Sequence, residues 1–198
     1  RIDVILIINQ TTIMKRVLFS MVLLMAISFA FAQQKNVKEA KSIAGEVKPD
    51  FNKAEQLINE ALTNPETKDE AATWDVAGYI QKRINEKEME NAYLRKPYDT
   101  IKVYNSILKM YDYYLKCDEL AEVPNEKGKI KNKYRKANST AMLAERPNLI
   151  NGGIQFFNLN NSKEALKFFG TYVESASYPM LEKENLAVSD TLLPQIAY

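Results

Sequence analysis

Apolar residues recur along most of the chain at the spacing of amphipathic helices. Proline and asparagine separate these stretches, as expected where helices begin or end. The pattern predicts helices over residues 35–48, 50–63, 68–88, 100–121, 131–145, 147–157 and 163–175, then an irregular connection and a last helix capped by Asp190 or Thr191. Short strands joined by glycine-rich turns are not indicated, so we expect an all-α protein.

The helix predicted over residues 100–121 carries two apolar stripes. Ile107 and Tyr111 belong to one stripe, and Val103 and Met110 belong to the other. Two stripes are typical of a helix that is buried on two sides, between neighbouring helices.

Three tyrosines of this helix, Tyr111, Tyr113 and Tyr114, allow two interpretations. Aromatic rings can stack on a sugar or a base, but at helical spacing they more often pack in a core, and we favour the core. Cys117, in the same helix, is the only cysteine of the chain. We expect it to be buried and inert, since no partner for an intramolecular disulfide exists.

The first residues have the pattern of a secretory signal peptide. Met14 is followed by the basic pair Lys15 and Arg16, by an apolar run over residues 17–31, and by an A-x-A motif that ends at Ala32. As a helix the run is too short for a hydrocarbon core of about 30 Å, although its retention as a membrane anchor is the alternative.

This interpretation divides the chain into residues 1–32, an upstream extension plus signal peptide, and an exported domain over residues 33–198. We expect the domain in the periplasm or cell envelope of a Gram-negative bacterium, with membrane contact only through the signal segment before cleavage. Removal of the basic signal region leaves a domain with no net charge. A nucleic-acid partner is therefore not indicated.

The chain has no histidine and one cysteine, which excludes several kinds of site. Ser-His-Asp and Cys-His catalysis, His-containing zinc sites and thiolate clusters need residues that this chain lacks. Glu86, Glu88 and Glu90 are close in sequence, but they alternate around a helix instead of converging. We therefore expect no enzyme activity, no metal and no cofactor.

A basic run over residues 127–136 holds six lysine and arginine side chains. Such a run is either a patch for an acidic ligand or the solvated start of a helix. In an exported chain we favour the solvated helix start.

Gly152 and Gly153 lie inside a predicted helix, where two glycines cost about 2 kcal/mol relative to alanine. A phosphate-binding loop is not indicated, because the wider glycine spacing and the Lys-Ser/Thr pair are missing. A second helix packed very close to the pair would offset the cost.

The residues around the glycine pair resemble the tetratricopeptide repeat family. The family's large, small and aromatic positions are matched by Leu149, Gly153, Phe156, Ala165 and Phe169. Tyr172 departs from a small-residue position, and Pro179 comes two residues late. Weaker matches extend the resemblance over roughly residues 35–198, at Ala54, Ile58, Ala61, Trp74, Ala77 and Gly78.

The resemblance implies a right-handed superhelix of stacked antiparallel helix pairs, an α-solenoid of about three repeats. It places Gly153 opposite Ala165, where the paired helices approach most closely. The last predicted helix has no second helix to cover it, which suggests that the repeats continue beyond Tyr198.

In this family, side chains of each first helix face a concave groove. The corresponding residues here are Asp75, Tyr79, Lys82, Arg83, Ile150, Ile154, Phe157 and Asn158. The first four could hold a peptide backbone or terminus, and the last four could hold an apolar side chain. Burial against a neighbouring repeat is the alternative for both sets.

We therefore expect a non-enzymatic scaffold of the cell envelope that binds a peptide or protein in a concave groove. The alternative is a carbohydrate-binding envelope protein built on the same helices, with Tyr111, Tyr113 and Tyr114 stacking on sugar rings.

Overall fold

Helices make up the regular secondary structure of the computed structural model, which describes residues 34–124 and 126–197 and contains no strand in these ranges. The all-α prediction is confirmed for this part of the chain. The six longer helices are α1 over residues 34–45, α2 (Phe51–Thr63), α3 (Ala71–Tyr93), α4 (Thr100–Ala121), α5 (Arg135–Asn158) and α6 (Ser162–Glu174). They are followed by 3₁₀ turns at Ser175–Ser177 and Pro179–Glu184 and by the short helices α7 (Leu186–Ser189) and α8 (Leu193–Ile196).

The predicted signal segment lies outside the described residues. Within residues 34–124 and 126–197, no helix combines the length and the hydropathy needed to cross a membrane.

Side-chain caps explain where several helices begin. Asp50, Asp99 and Asn161 each accept a hydrogen bond from a backbone N–H in the first turn of α2, α4 and α6, at 3.0, 3.0 and 3.2 Å. Such a bond satisfies an amide that has no partner within the helix. For α4 the sequence offers Asp99 or Thr100 as the cap, and the structure has Asp99 in this role.

Consecutive long helices run antiparallel. Between α3 and α4, Asn85 donates to the carbonyl oxygen of Val103 at 3.0 Å, and Gly78 lies against the ring of Tyr114. Residue numbers at these contacts thus increase along one helix and decrease along the other. The α4–α5 and α5–α6 contacts show the same pattern.

Helices α1 and α3 run parallel to each other. Lys41 forms an ion pair of 3.7 Å with Asp75, and further along Arg83 Nε donates to the carbonyl oxygen of Ala44 at 3.2 Å. The odd-numbered helices α1 and α3 therefore share one face of the molecule.

The buried apolar side chains form two clusters. The α1–α3 cluster includes Ile58 and Ile80, and the α4–α6 cluster includes Met142 and Phe168. Helix α4 serves both clusters: Tyr111 lies within the second, while Tyr113 packs against the first. The expectation that this helix is buried on two sides is confirmed.

Several helix boundaries differ from the sequence prediction, and the largest difference is in α5. The stretch predicted as two helices over residues 131–145 and 147–157 is one continuous helix, α5, with Pro147 inside it. Proline removes a backbone hydrogen bond and its ring crowds the preceding turn. Met142 and Leu149, on either side of Pro147, are both fully buried in the α4–α6 cluster, so tertiary packing holds the two halves in line.

Helix α3 is also longer than predicted and continues to Tyr93. Glu88 accepts the backbone N–H of Asp99 at 3.0 Å and forms an ion pair of 3.6 Å with Lys102, which joins this end of α3 to the start of α4.

The glycines of α3 and α5 make room for aromatic rings of the facing helix. An added Cβ at Gly152 would lie 2.6 Å from the ring of Phe168, and one at Gly153 would lie 2.4 Å from the ring of Phe169. The close approach expected at Gly153 is therefore present, but its nearest neighbour is Phe169 and not Ala165. Phe168 in turn stacks on Phe156, with ring centroids 5.2 Å apart.

A buried polar network joins the last described residues to α5 and α6. Arg146, which is 6% exposed, donates to Ser175 Oγ at 2.8 Å, to the carbonyl oxygen of Tyr172 at 3.0 Å, and to the carboxylate of Asp190. Its guanidinium lies 3.8 Å from the centre of the Tyr172 ring. Leu193 and Ile196 pack nearby against the α4–α6 cluster.

Candidate functional site

A cleft of about 910 Å³ lies on the face formed by α1, α3 and the first half of α5. Helix α3 contributes Asp75, Tyr79 and Lys82, because these residues recur on one side of the helix at spacings of three and four. The remaining lining residues are Lys41, Tyr114, Lys133, Tyr134, Lys136, Ala137, Asn138, Thr140 and Ala141. We call this the α1–α3–α5 cleft.

Four lysines and one carboxylate line this cleft. Lys41 pairs with Asp75 at 3.7 Å, and Lys82 pairs with Glu86. Lys133 and Lys136 form no ion pair with a described residue; Lys133 lies 5.0 Å from the ring centre of its neighbour Tyr134. The α5 side of the cleft therefore presents ammonium groups without a protein counter-charge.

Asn138 is a buried polar side chain on the same wall. It is 3% exposed, and its amide nitrogen donates only to Sγ of Cys117, at 3.7 Å. Its amide oxygen accepts no hydrogen bond from a described residue. Thr73 Oγ1 is the one buried side-chain polar atom without a partner among the described residues, so the Asn138 amide oxygen is open to solvent in the cleft and can accept a hydrogen bond from a ligand.

Three of the first four residues predicted to face a groove lie in the cleft, and Arg83 does not. Arg83 Nε donates to the Ala44 carbonyl oxygen at 3.2 Å and Nη1 donates to Glu86 at 2.7 Å. Its guanidinium thus satisfies a carbonyl at the end of α1 and joins α1 to α3.

The second predicted set does not line the cleft. Ile150 is half-buried and packs against the α4–α6 cluster, which corresponds to the alternative of burial. Ile154 and Phe157 are 48% and 63% exposed at the other end of α5, and Asn158 is exposed beside them. The two sets therefore do not form one continuous surface in the cleft.

Residues 133–141 were missed as cleft residues, although the basic run over residues 127–136 was a usable signal. The family positions matched on this helix begin at Leu149, so the resemblance assigns no groove residue to the first half of α5. The continuous helix brings Lys136 and Asn138 into the same cleft as the α3 residues, together with Lys133, which lies just before the helix.

The three tyrosines considered for sugar stacking are mostly core residues. Tyr111 is fully buried and its hydroxyl donates to the Met142 carbonyl oxygen, and Tyr114 is 3% exposed at the base of the cleft. Tyr113 is half-buried and tilts against Trp74, with ring centroids 5.9 Å apart. A platform of all three rings is therefore not available to a sugar.

Cys117 is fully buried, as expected. Burial, followed by the nearby charges of Asp75 and Asp118, raises the pKa of its thiol to about 12. The thiol is therefore neutral and a poor nucleophile at ordinary pH.

The clustered carboxylates of α3 are bound to different partners. Glu86 pairs with Lys82 and Arg83, and Glu90 pairs with Lys87. Burial opposes ionisation of Glu86, but the hydrogen bonds and charges of Lys82 and Arg83 outweigh it and lower the pKa of its carboxyl. Among the described residues, no group of three or more His, Cys, Asp or Glu could hold a metal ion.

A second depression, of about 500 Å³, lies on the face of α2, α4 and α6. Its charges are largely matched: Lys109 lies 3.7 Å from Glu55, and Lys167 lies 2.7 Å from Glu164. The α1–α3–α5 cleft is the better candidate site, because Lys133 and Lys136 form no ion pair with a described residue.

Comparisons with protein-family models, with curated proteins and with solved structures find no match to this chain. The candidate site therefore depends on the geometry described above.

Proposed function

We propose that this protein is a non-enzymatic interaction scaffold that binds a peptide or protein segment in the α1–α3–α5 cleft. The observation that carries the proposal is the lining of this cleft by Asp75, Tyr79 and Lys82, three residues that the tetratricopeptide resemblance assigned to a partner-binding groove. The volume of the cleft is in the range that ligand pockets occupy.

The proposed architecture is a right-handed α-solenoid of antiparallel helix pairs, similar to tetratricopeptide repeats. The parallel course of α1 and α3 supports it, since first helices of stacked pairs lie side by side in such arrays. The lengths of α3, α4 and α5, at 23, 22 and 24 residues, depart from the short helices of that family.

A binding role is better supported than catalysis or sugar binding. The acidic side chains considered for catalysis are each engaged by lysine or arginine. The carbohydrate alternative depended on three tyrosines, of which two are buried.

We also propose export to the cell envelope, which rests on the signal pattern before Gln33. N-terminal mass spectrometry of protein from envelope fractions should find Gln33 as the first residue. An intact segment from Lys15 to Ala32 would instead favour a membrane anchor.

A peptide-display selection on the exported domain tests the groove. Ala137→Trp introduces a large ring at an exposed position of the cleft, and Asn52→Trp introduces the same ring at an exposed position of α2 outside it. We expect selected peptides to lose affinity for Ala137→Trp and to keep it for Asn52→Trp. Equal affinity for both variants would exclude the cleft as the binding surface.

A further inference from the structure

The α1–α3–α5 cleft is basic, although the exported part of the chain has no net charge. Lys136 lies in the first turn of α5 and Lys133 lies in the bend just before it, and neither has a carboxylate partner among the described residues. In contrast, Arg135 in the same turn pairs with Asp118 at 2.7 Å on the other side of the helix. The local charge therefore favours an anionic ligand in the cleft.

Asn138 distinguishes between kinds of anion. Its amide oxygen is an acceptor that is open to the cleft, and every non-proline residue of a peptide backbone carries an N–H that can donate to it. A phosphodiester backbone offers acceptors only. The pairing of an unpaired acceptor with nearby lysines therefore matches a ligand that has backbone donors and side-chain carboxylates.

Apolar surface lies between the charged groups. Ala137 and Ala141 of α5 face the same cleft as the rings of Tyr79 and Tyr134. These groups offer a place for an apolar side chain of the ligand, which would be withdrawn from water there.

We propose that the ligand of this cleft is an acidic, extended peptide segment with apolar residues between its carboxylates. Lys133 and Lys136 bind the carboxylates, Asn138 accepts a backbone N–H, and the alanine and tyrosine surface contacts the apolar side chains. This inference rests on the proposed function, because it names the class of partner for the same cleft.

Fluorescence anisotropy with two labelled peptides tests whether the cleft prefers an acidic ligand. The acidic probe repeats Glu-Phe-Glu-Leu and is amidated at its C-terminus, so that it has side-chain carboxylates alone; the neutral probe has Gln in place of every Glu. We expect the acidic probe to bind at least about tenfold more tightly, a difference of about 1.4 kcal/mol. The difference should shrink as salt is added. Equal affinities would overturn the inference.

Charge-reversal variants test whether the acidic probe binds in the cleft. Lys136→Glu should weaken binding of the acidic probe about tenfold and leave the neutral probe nearly unchanged. Lys163→Glu, at an exposed position of α6 outside the cleft, makes the same change in net charge and should have no effect on either probe. Equal losses of affinity for the acidic probe in the two variants would show a general effect of net charge and would exclude the cleft as the binding site.

Asn138→Leu removes the amide and keeps a side chain of similar size. Because the backbone is common to both probes, this variant should weaken the acidic and the neutral probe by the same factor, with a thermal melt to show that it is folded. Unchanged affinities in folded protein would overturn the role of Asn138. Tighter binding of a labelled thymidine oligonucleotide than of the acidic probe would overturn the peptide class.

These outcomes separate the two proposals. If Ala137→Trp abolishes the binding of display-selected peptides that carry no acidic residues, the cleft is the peptide-binding surface but the inference of an acidic ligand is wrong. If the acidic probe binds without sensitivity to Ala137→Trp, it binds outside the cleft and the acidic-ligand inference fails, whereas the proposed function fails only if the display-selected peptides are also insensitive to this substitution.

Discussion

Two threonines, Thr67 and Thr73, are fully buried and differ in their hydrogen bonding. Thr67 Oγ1 donates to the Ala61 carbonyl oxygen at 2.6 Å, whereas Thr73 Oγ1 has no hydrogen-bond partner among the described residues. A buried hydroxyl without a partner costs about 1–3 kcal/mol relative to its paired state. The same residue type therefore stabilises the fold at one position and weakens it at the other.

Valine at each position should shift stability in opposite directions. Thr73→Val removes the unpaired hydroxyl and should raise the free energy of unfolding by about 1 kcal/mol. Thr67→Val leaves the Ala61 carbonyl oxygen without its donor and should lower it by about 1–3 kcal/mol. Urea titrations measure both values, and a destabilised Thr73→Val protein would mean that its hydroxyl does have a partner.

Asp190 gives the molecule a specific sensitivity to acid. Burial opposes its ionisation, but hydrogen bonds from Tyr172, at 2.6 Å, and from Arg146 outweigh burial and lower the pKa of its carboxyl below the usual 3.8. A lowered folded pKa means that the unfolded chain takes up the proton more readily. The contribution is therefore complete above about pH 5 and is lost as the pH falls through the folded pKa.

Asp190→Asn should remove this part of the acid sensitivity. The free energy of unfolding of the wild type should fall more steeply between about pH 5 and pH 3 than that of the variant. Asp69→Asn, at an exposed position, is the control and should keep the wild-type slope. Parallel curves for wild type and Asp190→Asn would contradict the role of the network.

At the scale of elements, the pairing of α5 with α6 depends on glycine next to aromatic rings. Phe168 is fully buried between Phe156 and Tyr104, at ring-centroid distances of 5.2 and 6.3 Å, so its ring has no room to move away from Gly152. Phe169, opposite Gly153, is only half-buried and has more freedom to shift. The two adjacent glycines should therefore differ in their tolerance of a methyl group.

Gly152→Ala should lower the free energy of unfolding by about 1–3 kcal/mol, because overpacking exceeds the gain in helix propensity. Gly153→Ala should lower the free energy of unfolding by less than Gly152→Ala does. Gly170→Ala is the matched control: no atom lies within 4 Å of an added Cβ there, so the substitution should stabilise the protein by up to about 1 kcal/mol. Thermal melts rank the three, and a Gly152→Ala protein as stable as Gly170→Ala would exclude the packing described.

At the scale of the whole molecule, α4 couples the two apolar clusters. Its Tyr111 belongs to the α4–α6 cluster, and its Tyr113 contacts Trp74 of α3 and packs against the α1–α3 cluster. Because one helix contributes to both clusters, neither cluster can lose α4 without exposing the other. We expect the described part of the chain to unfold as one cooperative unit.

The fluorescence of Trp74, the only tryptophan, can test this cooperativity, because Trp74 lies in α3 next to the α1–α3 cluster. Met142→Ala, in the second cluster, should cost about 2–5 kcal/mol. It should lower the midpoint of the Trp74 fluorescence transition and that of the circular-dichroism transition by the same amount. A fluorescence midpoint that stays at the wild-type value would show that the clusters unfold independently.

Much of the local structure was predictable from the sequence. Helix periodicity, the cap at Asp99, the two buried sides of α4 and the burial of Cys117 all agree with the structure. These features depend on residues a few positions apart, since the spacing of apolar side chains and the first-turn hydrogen bonds are set within one or two helical turns.

Other features were decided only by the tertiary structure. Local rules predicted that Pro147 begins a new helix, yet α5 passes through it because Met142 and Leu149 are buried on both sides. Gly153 faces Phe169 and not Ala165, because the docking of α6 on α5 sets which side chain meets the gap. Spacing within one helix carries no information about the register of the next.

The cleft residues likewise depend partly on local sequence and partly on the packing of helices. Helical spacing alone brings Asp75, Tyr79 and Lys82 to one side of α3. Lys136 and Asn138 join them only because α4 and its contacts dock α5 beside α3. The sequence by itself therefore determined which residues share a helix face, and the packing of distant helices decided which faces meet, because the contacts that fix helix docking join residues far apart in the chain.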